Sequence, residues 1–165
     1  QNQMAGIYDI RSWADIVTAH RISGPDIVDG IAEGWADVQR IGGVLLLAQM
    51  SSRGNLLDQK YTKETIETGK GSPHVIGYIG NGSSPEEIEQ LREIVGPGQM
   101  IWTPGINLNT EAGKMGQRYG TPRESIVSGA DIIIVGSGIH GQEDRVGAAK
   151  AYAEASWNAI LERGK

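Results

Sequence analysis

The chain has 165 residues, enough for one domain with a real core. Its net charge of −5 gives no support to nucleic-acid binding, and no basic run marks a membrane surface. With no cysteine there is no disulfide framework, thiolate metal site or thiol nucleophile, and with no long apolar run and no signal-peptide pattern the expected compartment is the cytoplasm.

Residues 1–6 carry no helix N-cap and read as the tail of an element already under way. Residues 13–20 form a first expected strand. Gly24-Pro25-Asp26 then opens a helix, with proline at the first turn and Ile27, Val28, Ile31 and Trp35 as the apolar face. Residues 43–48 are a second strand, and 49–55 its exit loop. Thr62 is the expected cap of a short helix through Thr68. A third strand covers 75–79. Ser84-Pro85-Glu86-Glu87 reads as a capping box whose helix runs to about Val95. Residues 100–103 are a fourth strand, ended by Pro104-Gly105, and a polar loop runs from Asn107 to Gly120. Thr121-Pro122-Arg123-Glu124 is a second capping box. Ile132-Ile133-Ile134-Val135 reads as a fifth strand buried on both faces. The last helix starts near Asp144 and is expected to bury Val146, Ala149, Ala153, Trp157 and Ile160. Phenylalanine is absent, so Trp13, Trp35, Trp102 and Trp157 are expected in the core.

Strands and helices thus alternate five times with no hairpin signal, which predicts a parallel sheet with right-handed crossovers in a single domain over 1–165. Two architectures fit. One is a doubly wound, five-stranded open sheet. The other is part of a (β/α)8 barrel, whose eight units need about 250 residues. The second predicts that about three units are missing, and the uncapped start favours it.

The fifth strand runs directly into glycines at 136, 138 and 141. Strand, glycine turn and helix start together aim backbone N–H groups at an anion, most simply a phosphate. Gly136-Ser137-Gly138-Ile139-His140-Gly141 also spells the dinucleotide fingerprint G-x-G-x-x-G. No strand follows within these residues, however, and the acidic residue about 20 positions on, Glu162, falls in a helix. The nucleophile-elbow pattern G-x-S-x-G fails at Val135.

Four blocks in order carry a family resemblance: 13–20, 45–56, 103–119 and 131–139. Tyr61-Thr62-Lys63 and Val75-Ile76-Gly77 fit between them. Together they resemble the C-terminal three-fifths of orotidine 5′-phosphate decarboxylase in its eukaryotic form, an enzyme of UMP biosynthesis. The resemblance implies a partial barrel with five parallel βα units, a pyrimidine nucleotide (UMP or OMP) as ligand, and no cofactor. It implies that Ser51 contacts the pyrimidine edge, since a hydroxyl both donates and accepts. It places Pro104 against the base, Gln117 and Tyr119 on a loop that closes over the phosphate, and Gly136 and Gly138 in the phosphate turn.

Two departures from the family stand out. Its arginine after the first glycine of the turn is Ser137 here, and a hydroxyl cannot make the forked, charged contact of a guanidinium. The family's chemistry also resides in an Asp-x-Lys-x-x-Asp segment aided by a second lysine. Those charges press on the substrate carboxylate, and the lysine protonates the carbon as carbon dioxide leaves. These 165 residues contain no such segment. Asp58-Gln59-Lys60 imitates its first half, but Lys63 stands at the final acidic position, so the stretch reads as solvated surface. No catalytic residue is therefore assigned in this chain.

Other polar residues are read more plainly. His20, ending the first strand, and His140, in the phosphate turn, are possible ligand contacts; a His140 cation could partly replace the arginine. His74 is expected on the surface. Asp15 and Asp131 are expected to be structural or N–H acceptors. No pair of His, Asp or Glu has metal-ligand spacing, and Ser51 and Ser137 lack a His-Asp pair. Two functions remain: part of a decarboxylase, or a diverged partial barrel with another ligand, partner or reaction. Either leaves sheet edges that should be filled by self-association, as a dimer for example, or by a separate N-terminal piece.

Overall fold

Five parallel strands make one open sheet in the order β1-β2-β3-β4-β5. They are β1 (Ile16–Ala19), β2 (Gly43–Leu47), β3 (Val75–Ile79), β4 (Met100–Thr103) and β5 (Ile132–Ile133). A doubly wound sheet reverses its strand order at a switch point. This order never reverses, so the partial-barrel expectation fits and the doubly wound one does not. The computed structural model describes residues 2–108 and 119–164. Among them the helices are α1 (Asn2–Ala5), α2 (Ile27–Ala36), α3 (Gln59–Lys70), α4 (Pro85–Val95), α5 (Pro122–Val127), α6 (Ser137–His140) and α7 (Arg145–Arg163). None is long and apolar enough to cross a membrane. The chain divides into two compact units.

The first unit comprises Gln1–Ala48 and Asp58–Tyr78. Ile16 to Ala19 pair with Gly43 to Leu46, and Val44, Leu45 and Leu46 are fully buried, as a strand with a neighbour on each side requires. Helix α2 buries Val28, Ile31 and Trp35, and the Trp35 indole donates to the Ala14 carbonyl at 2.9 Å. The first strand is shorter than expected, because Trp13 belongs to a preceding turn and is 63% exposed. Helix α3 begins three residues before Thr62. Its cap is Asp58, whose carboxylate accepts from Tyr61 N–H at 2.7 Å. Thr62 lies inside the helix, and its hydroxyl donates to the Ala48 carbonyl at 2.9 Å. Asp58, Gln59 and Lys60 are exposed, as the sequence suggests.

The second unit comprises Gln49–Leu57 and Ile79–Lys165. Its core cluster is Ile88, Ile126, Ala130 and Ala159, with Ile133 and Ile160 packed against it. The Thr121 box is complete: the hydroxyl accepts from Glu124 N–H, and the Glu124 carboxylate accepts from Thr121 N–H. The Ser84 box is only half made. Its hydroxyl caps Glu87 N–H, but the Glu87 carboxylate takes the Asn81 amide instead.

Two expectations fail in this unit. Strand β5 covers two residues, and Ile132, Ile133 and Val135 are only half-buried while Ile134 is exposed. As the last strand of the sheet it has a partner, β4, on one side only. Helix α7 turns a different face inward than its apolar stripe suggests. Val146, Ala149, Ala153 and Trp157 are exposed, whereas Tyr152 and Ala159 are buried. Ala159 packs into the cluster with Ile126 of α5, with Ile160 against it, whereas Tyr152 turns toward Gly138 and the β4 exit. Of the four tryptophans only Trp35 is a core residue. Trp102 is half-buried, and Trp157 is 61% exposed.

Candidate functional site

The C-terminal ends of parallel strands are where their exit loops converge, and ligand sites of parallel α/β folds form there. In the second unit the loops after β2, β4 and β5 enclose a cavity of about 390 Å³. Ser51 lines it from the β2 exit. Pro104, Gly105 and Ile106 line it from the β4 exit, with Tyr119 beside them. Ile134, Gly136 and Ser137 complete it from the end of β5.

Local chemistry explains why these loops hold their shape. Asn55 donates to the carbonyls of Met50 and Ser52, on either side of Ser51, and accepts from Leu57 N–H at 3.0 Å, an Asx turn. Gln49 bridges the Glu87 carbonyl and Asn81 N–H, and buried Asn81 holds Ser83 and Glu87 in turn. The β4 exit is pinned by a bridge between Ile106 and Gly120, with Asn107 N–H bonded to the Gly120 carbonyl at 2.9 Å. Backbone passes very close here. A Cβ at Gly82 would sit 2.2 Å from the Pro104 carbonyl, and one at Gly120 would sit 2.1 Å from the Gly82 carbonyl. Only glycine fits either position.

After β5, Gly136 caps the single turn α6, its carbonyl accepting from Ile139 and His140 N–H. The amides that open a helix have no intrahelical acceptor, so those of Ser137 and Gly138 are available in kind to an anion. Gly138 does not line the 390 Å³ cavity. It faces a separate depression of about 550 Å³ with Asn107, Leu108 and Tyr152.

Of the seven ligand positions expected from sequence, five line the one cavity: Ser51, Pro104, Tyr119, Gly136 and Ser137. Gln117 lies outside the described residues. His140 is exposed in another shallow depression beside Glu143 and Arg145. His20, in the first unit, is half-buried with its Nδ1 3.4 Å from the Tyr61 hydroxyl. His74 is exposed. Asp15 pairs with Arg40, and Asp131 accepts from Ile101 N–H at 2.9 Å. Among the described residues no group of three or more His, Asp or Glu is placed to hold a metal ion. Sequence reading missed Gln49, Asn55 and Asn81. Asn55 was signalled by its place after Gly54 in a loop; the other two carry no local signature, because their partners are distant in sequence.

One titration is displaced near this end of the strands. Glu124 is held below its ordinary range by the Thr121 backbone N–H, then the Thr121 hydroxyl, with a smaller contribution from the Arg123 charge. That carboxylate serves the helix cap and does not line the cavity.

A profile of the orotidine 5′-phosphate decarboxylase / HUMPS family matches residues 1–152. The orotidine 5′-phosphate decarboxylase of Phycomyces blakesleeanus is 41% identical over 161 residues, covering 96% of this chain and 57% of the relative. That of Pichia kudriavzevii is 38% identical over 164 residues, covering 98% of this chain and 60% of the relative. The chain therefore spans about three-fifths of these curated relatives' length. Among solved structures, the decarboxylase of Pyrococcus horikoshii OT3 superimposes with a TM-score of 0.69 at 25% identity, over 94% of this chain and 67% of that one. The Sulfolobus solfataricus enzyme gives 0.69 at 22% identity, a likeness of fold alone. An unreversed parallel sheet, a loop-built cavity at its C-terminal end and a profile match over most of the sequence agree: this chain belongs to the orotidine 5′-phosphate decarboxylase / HUMPS family.

Proposed function

We propose that the cavity at the strand ends binds a pyrimidine nucleotide, and that the chain is the C-terminal part of an orotidine 5′-phosphate decarboxylase working in the cytoplasm. The observation that carries this reading is the convergence of Ser51, Pro104, Tyr119, Gly136 and Ser137 on one cavity of about 390 Å³. On this reading Ser51 meets the imide edge of the base and Pro104 walls one face. Tyr119 and Gln117 close on the phosphate, which rests on the amides after Gly136. The reading calls for no metal or cofactor, because the electron pair left by departing carbon dioxide is taken up by a proton at the same carbon.

The groups that would drive that step are not among these 165 residues, since no Asp-x-Lys-x-x-Asp segment occurs. Electrostatic groups of this kind contribute about 3–4 kcal/mol each to a transition state. The 165-residue chain by itself is therefore expected to bind UMP without releasing carbon dioxide from orotidine 5′-phosphate. Calorimetric titration with UMP, with uridine as the phosphate-free control, and a carbon dioxide assay test both halves. Absence of UMP binding at millimolar concentration would sink the nucleotide reading, and robust turnover by homogeneous chain would sink the second half.

A second reading has one residue in its favour. Ser137 replaces the guanidinium with which the family grips phosphate, and a diverged barrel serving another ligand or reaction would show such a change. On either reading the end strands β1 and β5 and the exposed Ile16, Ile134, Trp157 and Leu161 favour association, with itself or with a separate N-terminal piece. A compact monomer at micromolar concentration in sedimentation would contradict it.

A further inference from the structure

We infer that Tyr152 is a positioning residue for the anion-binding turn, acting from behind the cavity without touching its contents. The inference rests on the nucleotide reading above for what the turn binds. Tyr152 lies two turns into α7, is 4% exposed, and does not line the 390 Å³ cavity. Its side chain touches two of the three loops that do. The hydroxyl accepts from Leu108 N–H at 3.1 Å and donates to Asn107 Oδ1 at 3.3 Å. Both partners sit just beyond the Ile106–Gly120 bridge that pins the β4 exit.

The other contact is steric. A Cβ at Gly138 would fall 2.2 Å from the Tyr152 hydroxyl oxygen and 2.9 Å from Cζ. The tyrosine therefore occupies the space a side chain at 138 would need. This gives Gly138 a reason to be glycine that involves no ligand. The turn that presents the Ser137 amide is seated on the tyrosine, and the same hydroxyl grips the loop leading from Pro104 and Ile106. One side chain thus bears on the spacing between two of the cavity's three walls. On the nucleotide reading the phosphate lies against that turn, whereas the base edge at Ser51 lies on a third loop with its own Asn55 support.

The test uses the full 165-residue chain and the conservative variant Tyr152→Phe. Amide hydrogen exchange should quicken about 3- to 10-fold at Leu108 and across 136–139. UMP affinity should fall about 3- to 10-fold while uridine affinity stays unchanged. Gly138→Ala should be damaging in the native background and milder in the Tyr152→Phe background, because the closest clashing atom is then gone. Unchanged exchange at Leu108, an equal loss for UMP and uridine, or additive Gly138 and Tyr152 effects would each overturn the inference. If the unmodified chain binds no UMP, the nucleotide reading has failed. Exchange and the double-variant cycle then still decide the role of Tyr152.

Discussion

Within the second unit the two ends of β4 and β5 are built by different rules. At the N-terminal end one guanidinium does most of the tying. Arg92 donates to the carbonyls of Gly129, Gly96 and Gln99 at 2.9–3.1 Å and pairs with Asp131. Arg163 adds bonds to the carbonyls of Ile126 and Ala130 from α7. At the C-terminal end, where the cavity lies, no guanidinium is seen tying the described loops. Close-packed glycines, the Tyr152 hydroxyl and single amide bridges hold them. The contrast illustrates how parallel barrels divide labour: charge-assisted bonds at one end stabilise the fold, and the other end keeps backbone groups available to a ligand.

Changes at three places would break or sharpen that contrast. The largest effect is expected from Arg92→Met, which removes every guanidinium bond and leaves Asp131 with Arg163 at 3.6 Å as its remaining ion-pair partner. Loss of about 3 kcal/mol is expected in denaturant unfolding, with UMP affinity of the folded chain unchanged. A large affinity loss would show that the ends are not independent. Next comes Ser137→Arg. A charge-assisted bond contributes about 1.5–3 kcal/mol, so UMP affinity should rise roughly 10- to 150-fold, uridine affinity should not change, and stability should hardly move. An equal gain for uridine would mean that the turn does not face the phosphate.

The smallest effect concerns the Thr121–Glu124 cap, which belongs to the stabilising class although it follows the cavity loops. Glu124 has a folded pKa below its unfolded value, so its contribution is present above the ordinary glutamate range. That contribution is lost as the pH falls through the range to the depressed folded value. Thr121→Ala should cost about 1 kcal/mol at neutral pH, and Glu124→Gln should flatten the acid limb of the stability profile. A cost that stays constant down to low pH would show that the carboxylate is not the acceptor that matters.

Residues whose partners are near in sequence were legible. Thr121-Pro122-Arg123-Glu124 announced a cap that formed in full, because both bonds span three residues. Ser84-Pro85-Glu86-Glu87 announced the same cap and delivered half of it, because Asn81 competed for the carboxylate. Ser51, Pro104, Tyr119, Gly136 and Ser137 could be named together because they fall within blocks that resemble one family. Their convergence on a cavity is a matter of three loops meeting, which no single block records. Helix α7 misled because its large apolar residues outlined one stripe while two distant surfaces selected another, the Ile126 cluster through Ala159 and the β4 exit through Tyr152.

The sequence by itself determined the alternation of strand and helix, the parallel sheet, and the loops in which ligand groups could lie. Those follow from β-branched runs, caps and glycine turns, whose physics is local. Only the tertiary structure decided that the strand order never reverses, that α7 turns its tyrosine inward, and that Gly138 makes room for that tyrosine. Those outcomes depend on which surfaces meet across tens of residues. The free energy of such contacts comes from shape and hydrogen-bond geometry, which residue type and spacing do not encode.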